Sequence, residues 1–154
     1  MNFTSKQREI NMHPIGVIHS PFTEKAVTPI QPTRSQAVGQ VEVFPEFIEG
    51  LAGLEGFSHI ILLYVFHQST GYSLRVQPFL DDRSHGLFAT RHPCRPNPIG
   101  LSVVRLLEVR VPILEILGVD VLDGTPLLDI KPYVSDFDVR TEVKTGWYAS
   151  RSKE

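Results

Sequence analysis

Turn-forming residues cut this chain into pieces too short for long helices. Twelve prolines and eleven glycines are spread over 154 residues. Proline fixes φ and removes a backbone donor, and glycine adopts dihedrals that other residues avoid. That density suits many short strands joined by turns better than a helical bundle.

The pattern between the turns agrees. Residues 15–20 read as a first strand closed by Pro21, and 38–44 as a second, with Val41 and Val43 on one face and Gln40 and Glu42 on the other. Between them, 24–37 (EKAVTPIQPTRSQA) has two prolines and no period, which predicts a long loop of the functional or disordered kind. Pro45 begins a short helix, with Phe47, Ile48 and Leu51 at helical spacing and Gly50 and Gly53 to end it. Residues 57–67 (FSHIILLYVFH) are apolar on both faces and rich in β-branched and aromatic side chains, so a strand buried on both sides is expected. Residues 68–86 are loop-like with a short strand at 74–80, and further strands are expected at 87–91, 101–109, 113–117 and 119–122. The result is a mostly β, small single-domain barrel over 13–148 with short helices and long loops. A flexible arm (1–12) precedes it and a tail (149–154) follows. Closure removes the exposed strand edges.

Several function classes lose support. The net charge of −2 argues against a general nucleic-acid binder held by a basic surface, although the block from Arg75 to Arg110 holds six arginines against Asp81, Asp82 and Glu108. One cysteine, Cys94, forms no intrachain disulfide and no thiolate cluster, and its neighbour His92 is badly placed to activate it. His59 and His67 share a strand face but stand about 26 Å apart, too far for one metal ion. There is no HExxH, GxGxxG, GxxxxGK[ST] or GxSxG pattern. With no signal-peptide or membrane-helix run, a cytoplasmic protein without a metal or membrane partner is expected.

Two segments can carry chemistry. In 89–102 (ATRHPCRPNPIGLS), three prolines stiffen the backbone, Asn97 and Gly100 suit unusual dihedrals, and Arg91 and Arg95 are presented as preorganised grips for an anion. The alternative is a proline-rich turn with two solvated arginines. In 123–126 (DGTP), Asp123 ends a strand and faces a cleft, the alternative being a plain hairpin turn. Asp129 and Lys131 then lie on one strand face, as an ion pair or as working groups. His67 and Gln68 stand where the apolar strand opens. Arg95, Asn97 and Lys131 are candidate substrate contacts.

PIGVIHSPF, the Gln31-Pro32 loop, FSHI with VFHQ, FATR with RPNPIG, and DGTPLLDIKPY occur in one order over 15–133. Together they resemble the TrmO-like family, also called the TsaA-like or YaeB-like domain, and the likeness extends toward Trp147. The resemblance implies a β-barrel methyltransferase that uses S-adenosylmethionine, works as a homodimer and methylates the exocyclic amine of threonylcarbamoyladenosine beside the tRNA anticodon. It implies cofactor contacts at Gln31, Pro32, Thr33, His67, Gln68, Arg91, Leu101, Asp123, Gly124, Thr125 and Pro126. Longer bacterial members continue into a C-terminal extension beyond the short form read here. Asp123 and His67 are both candidates to take the amine's proton. A methyltransferase on another small acceptor, or a non-catalytic S-adenosylmethionine-binding module, are the alternatives.

Overall fold

A computed structural model describes residues 9–24 and 35–151. In chain order its strands are β1 (Gly16–His19), β2 (Val38–Val43), β3 (His59–Val65), β4 (Arg75–Val76), β5 (His85–Gly86), β6 (Ile99–Arg110), β7 (Ile113–Leu117) and β8 (Thr125–Pro132). Six of them close into an antiparallel barrel in the order β1-β2-β7-β6-β3-β8, while β4 and β5 pair as a separate ribbon. Closure leaves the barrel no free edge, as the sequence predicts.

The two-residue period fills the interior. Ile18, Val41, Ile60, Leu62, Tyr64, Val104, Leu114, Ile116 and Leu127 point inward, each 3% exposed or less. Each buried aliphatic contributes about 1.5–3 kcal/mol against its exposed state. On β2, Val41 and Val43 face the core and Gln40 and Glu42 face out, as their alternation requires. On β3 only one face is sealed: its outward residues, His59, Ile61, Leu63 and Val65, are half-buried. The expected double burial fails because the second face of a barrel strand looks outward.

Three local expectations are corrected. Residues 87–91 do not form a strand: Leu87–Ala89 is a 3-10 turn, closed by the Thr90 hydroxyl donating to the Leu87 carbonyl at 2.7 Å. Of 74–80 only Arg75–Val76 pairs, with His85–Gly86. The alternation in 119–122 is real, with Val119 and Val121 buried, but no ladder forms there. Gly118, at φ +97°, turns the chain away from β7, and the two valines plug the core from a loop. The strand comes later, as β8, which pairs with both β1 and β3 and closes the barrel. The helix expected after Pro45 is a 3-10 helix, Pro45–Leu51, docked by buried Leu51.

The antiparallel order gives the barrel two chemically different ends. β1, β3 and β7 finish, and β2, β6 and β8 begin, at the same end, here called the mouth. Every connection at the mouth is long or irregular: 20–37, 66–98 and 118–124.

Candidate active site

The mouth collects what the sequence singles out. His67 and Gln68 lie in the exposed turn after β3, and the Phe66 N–H donates to the Pro98 carbonyl at 2.8 Å, tying that turn to the proline-rich loop. Asn97 closes this loop, its carbonyl accepting from Ile99 N–H at 2.7 Å. Gly100 follows because nothing larger fits: a Cβ there would lie 2.2 Å from Tyr64 Cε2 and 2.8 Å from Phe66 Cζ. Leu101 stands on the outer face of β6, 51% exposed.

Arg91 is exposed on the same loop. Arg95 works for the loop itself, with Nη1 donating to the carbonyls of Thr90 (2.9 Å) and His92 (3.1 Å) and the guanidinium lying over the Phe88 ring at 5.8 Å. Cys94 meets His92 through its backbone N–H rather than its thiol, at 3.2 Å.

The C-terminal segment clamps this loop from outside. The buried Asp81 carboxylate accepts from His85 Nε2 at 2.6 Å and from Arg151 at 2.9 Å. The His85 contact, first of all, holds that carboxyl well below the usual range. Trp147 stacks on His85 at 5.1 Å and donates its indole N–H to the Ala89 carbonyl at 2.7 Å.

At the DGTP corner, Asp123 Oδ1 accepts the Ser20 N–H at 3.1 Å and lies 3.6 Å from His19 Nδ1, whose Nε2 meets Glu42 at 2.9 Å. Gly124 takes φ +82° with open space where a Cβ would point, so the corner presents bare backbone. Its N–H donates to Ile18 at 3.0 Å, and the buried Thr125 hydroxyl donates to Leu122 at 2.6 Å. Pro126 follows, half-buried, at the start of β8.

Two groups stand apart. Lys131 sits at the far end of β8 and pairs with Asp129 at 2.9 Å, away from the mouth. Gln31, Pro32 and Thr33 lie outside the described residues, as do parts of the expected N-terminal arm and tail. Among the described residues no group of three or more His, Cys, Asp or Glu could hold a metal ion, and no helix is long and apolar enough to cross a membrane.

Besides the Asp81 clamp, sequence reasoning missed a polar cluster at the mouth. Tyr64, Ser102 and Asp120 form a hydrogen-bonded row at the mouth, with steps of 2.7 Å and 2.7 Å. Burial pushes the Asp120 carboxyl up to about 6, against the Ser102 hydrogen bond, which pulls it down. Burial also raises the Tyr64 phenol, with the nearby Asp120 charge adding to the effect and the Ser102 bond and Arg91 opposing it. The only local sign was an aspartate between two core valines.

A family model described as the tRNA-methyltransferase O N-terminal domain matches residues 17–139, most of the barrel and its mouth. The chain belongs to this TrmO family. A Pyrococcus abyssi protein named "Probable S-adenosyl-L-methionine-binding protein" is 59% identical over 135 residues, covering 87% of this chain and 73% of that protein. A Mus musculus protein named tRNA (adenine(37)-N6)-methyltransferase is 43% identical over 133 residues, 81% of this chain but 31% of its own length. The crystal structure of TrmO from Pseudomonas aeruginosa superposes with a TM-score of 0.77 at 44% identity, covering 90% of this chain and 62% of that one. The chain thus spans a third to two-thirds of its longer TrmO relatives.

Proposed function

We propose that this TrmO-family chain is an S-adenosylmethionine-dependent methyltransferase acting on the exocyclic amine of threonylcarbamoyladenosine beside the anticodon of tRNA, as a cytoplasmic homodimer. The supporting observation is convergence. The 66–68 turn, the 89–102 loop and the DGTP corner are far apart in sequence, yet all three meet at one barrel end.

The residues present suit the cofactor's chemistry. Arg91 offers a fork for a carboxylate. Asp123 offers negative charge to an ammonium or a sulfonium. Exposed Leu101 and Phe88 offer apolar surface, and the bare backbone at Gly124 admits a close approach. When bound, the cofactor supplies a methyl group activated on a sulfonium sulfur. The chain's own part is to orient and to handle a proton: Arg95 and Trp147 fix the loop that carries Arg91, and such positioning supplies much of the rate in a displacement of this kind. The arginine-rich block suits the phosphates around the acceptor base.

Calorimetry tests the reading. Wild-type protein is expected to bind S-adenosylmethionine in the micromolar range. Arg91→Ala weakens binding about tenfold or more while the thermal melt is retained, the usual cost of losing a charged hydrogen bond. Lys131→Ala leaves binding unchanged. No binding to the wild type contradicts the proposal, and an unchanged tRNA nucleoside profile in a deletion strain removes the tRNA acceptor.

A further inference from the structure

The Tyr64–Ser102–Asp120 row runs from the barrel interior to its rim. Tyr64 on β3 is 3% exposed and Ser102 on β6 is 2% exposed, while Asp120, on the loop before β8, stays partly open to solvent. The direction of its hydrogen bonds follows from counting protons. Ser102 has one hydroxyl hydrogen, which goes to the ionised Asp120 carboxylate, so its oxygen receives the Tyr64 hydroxyl hydrogen. The row therefore ends in an acceptor on the 118–124 loop at the mouth, held by two neutral donors in series.

A carboxylate withdrawn from water is ordinarily matched by a cation. The ion pairs among the described residues do not include Asp120. Among the described residues, Tyr64 on β3 reaches it through Ser102, Arg91 acts on the Tyr64 phenol, and Asp123 lies three residues along its own loop. An uncompensated carboxylate costs stability, and such sites concentrate where chemistry uses them. The surroundings agree: Ser102 adjoins Leu101, and Asp120 precedes the DGTP corner on one short loop. Gly100 is kept small so that the Tyr64 ring can lie beside it.

We propose that Asp120 accepts the proton lost by the acceptor amine, with Ser102 and Tyr64 as positioning residues that hold its carboxylate at the mouth. The inference rests on the methyltransferase reading above. As the amine nitrogen bonds to the methyl carbon of the sulfonium donor, the carbon–sulfur electron pair leaves on sulfur and the N–H proton passes to an Asp120 oxygen. The carboxyl then returns the proton to solvent. Asp123, already accepting the Ser20 N–H, is assigned to holding the corner.

Two measurements test this. A carbon-13 carboxyl titration of the protein without ligands, with Asp120 assigned through Asp120→Asn, shows Asp120 titrating near pH 6, and Ser102→Ala moves its midpoint upward because a stabilising hydrogen bond to the anion is lost. Single-turnover methyl transfer at saturating cofactor rises with pH through the same midpoint. Asp120→Asn slows it about 100-fold and flattens the rise, yet leaves cofactor affinity within about threefold (well under 1 kcal/mol) and does not lower the melting temperature at pH 8. Ser102→Ala shifts the rise to higher pH by as much as it shifts the titration. An Asp120 midpoint in the ordinary carboxylate range, or an Asp120→Asn enzyme with the wild-type rate and pH profile, overturns the inference alone. A wild type that neither binds cofactor nor transfers a methyl group overturns the methyltransferase reading, and this inference falls with it.

Discussion

The two ends of the barrel are built on the same six strands but carry different chemistry. At the end opposite the mouth, charges neutralise one another on the surface: Lys131 with Asp129 at 2.9 Å, and Arg110 with Glu115 at 3.2 Å and Glu108 at 3.5 Å. A groove of about 660 Å³ opens there, lined by Phe47, Leu51, Phe57 and Ile130 among others. At the mouth the space beside His19 and Val38 is smaller, about 250 Å³, and outside its lining the Asp120 carboxylate is drawn partly out of water and held by the neutral Ser102 hydroxyl. Cavity size and chemical preparation therefore point to opposite ends, and preparation is the better guide. The groove's walls are largely apolar, and the Asp129 that lines it is paired with Lys131. A half-buried carboxylate that makes no ion pair among the described residues is poised to react.

Substitutions can break or sharpen this contrast. The largest effect is expected at Gly100→Val, where a side chain must displace the Tyr64 ring from 2.2 Å. A loss of about 3 kcal/mol or more follows from overpacking of this severity. Gly50→Ala at the groove end meets no atom within 4 Å and changes stability by less than about 0.5 kcal/mol. Chemical denaturation of the two variants reads the difference, and equal costs would erase the contrast.

Next is Asp120→Asn, with the opposite sign. The folded state raises this carboxyl to about 6, so it binds the proton more tightly than the unfolded chain does. That contribution is full below the ordinary carboxylate value, near 4, and is lost as pH rises to about 6. Asp120→Asn therefore stabilises the protein at pH 8, by at most about 3 kcal/mol, and has no such effect at pH 4. Melting curves at the two pH values check both size and sign. Tyr64→Phe is smaller, costing about 1 kcal/mol for one buried hydrogen bond. Lys131→Ala is smallest: its exposed pair contributes at most about 0.5 kcal/mol, a difference that 1 M salt removes.

Much of the barrel was legible in the sequence because its signal is local. The alternation of Val41 and Val43 with Gln40 and Glu42, the apolar run on β3 and the long period-two stretch of β6 each mark a strand without reference to a partner. Misreadings came where the deciding contact is not a matter of period. Residues 119–122 alternate like a strand, but Gly118 turns them into the core as a plug. Residues 87–91 look β-prone until the Thr90 hydroxyl closes a 3-10 turn. The site divides in the same way. DGTP, FATR and RPNPIG are visible as motifs, whereas the state of Asp120 depends on Ser102 and Tyr64, which are distant in sequence and arrive only through barrel pairing of β3 with β6. The clamp of Asp81 by His85 and Arg151 was invisible for the same reason.

Backbone amide shifts during titration with S-adenosylmethionine test most directly which end of the barrel is the working one. The perturbed signals are expected to cluster at His67, Gln68, Arg91, Leu101, Asp120 and Gly124, leaving Glu46, Phe57, Asp129 and Lys131 unmoved. Perturbations confined to the groove residues, with the mouth silent, would contradict the account.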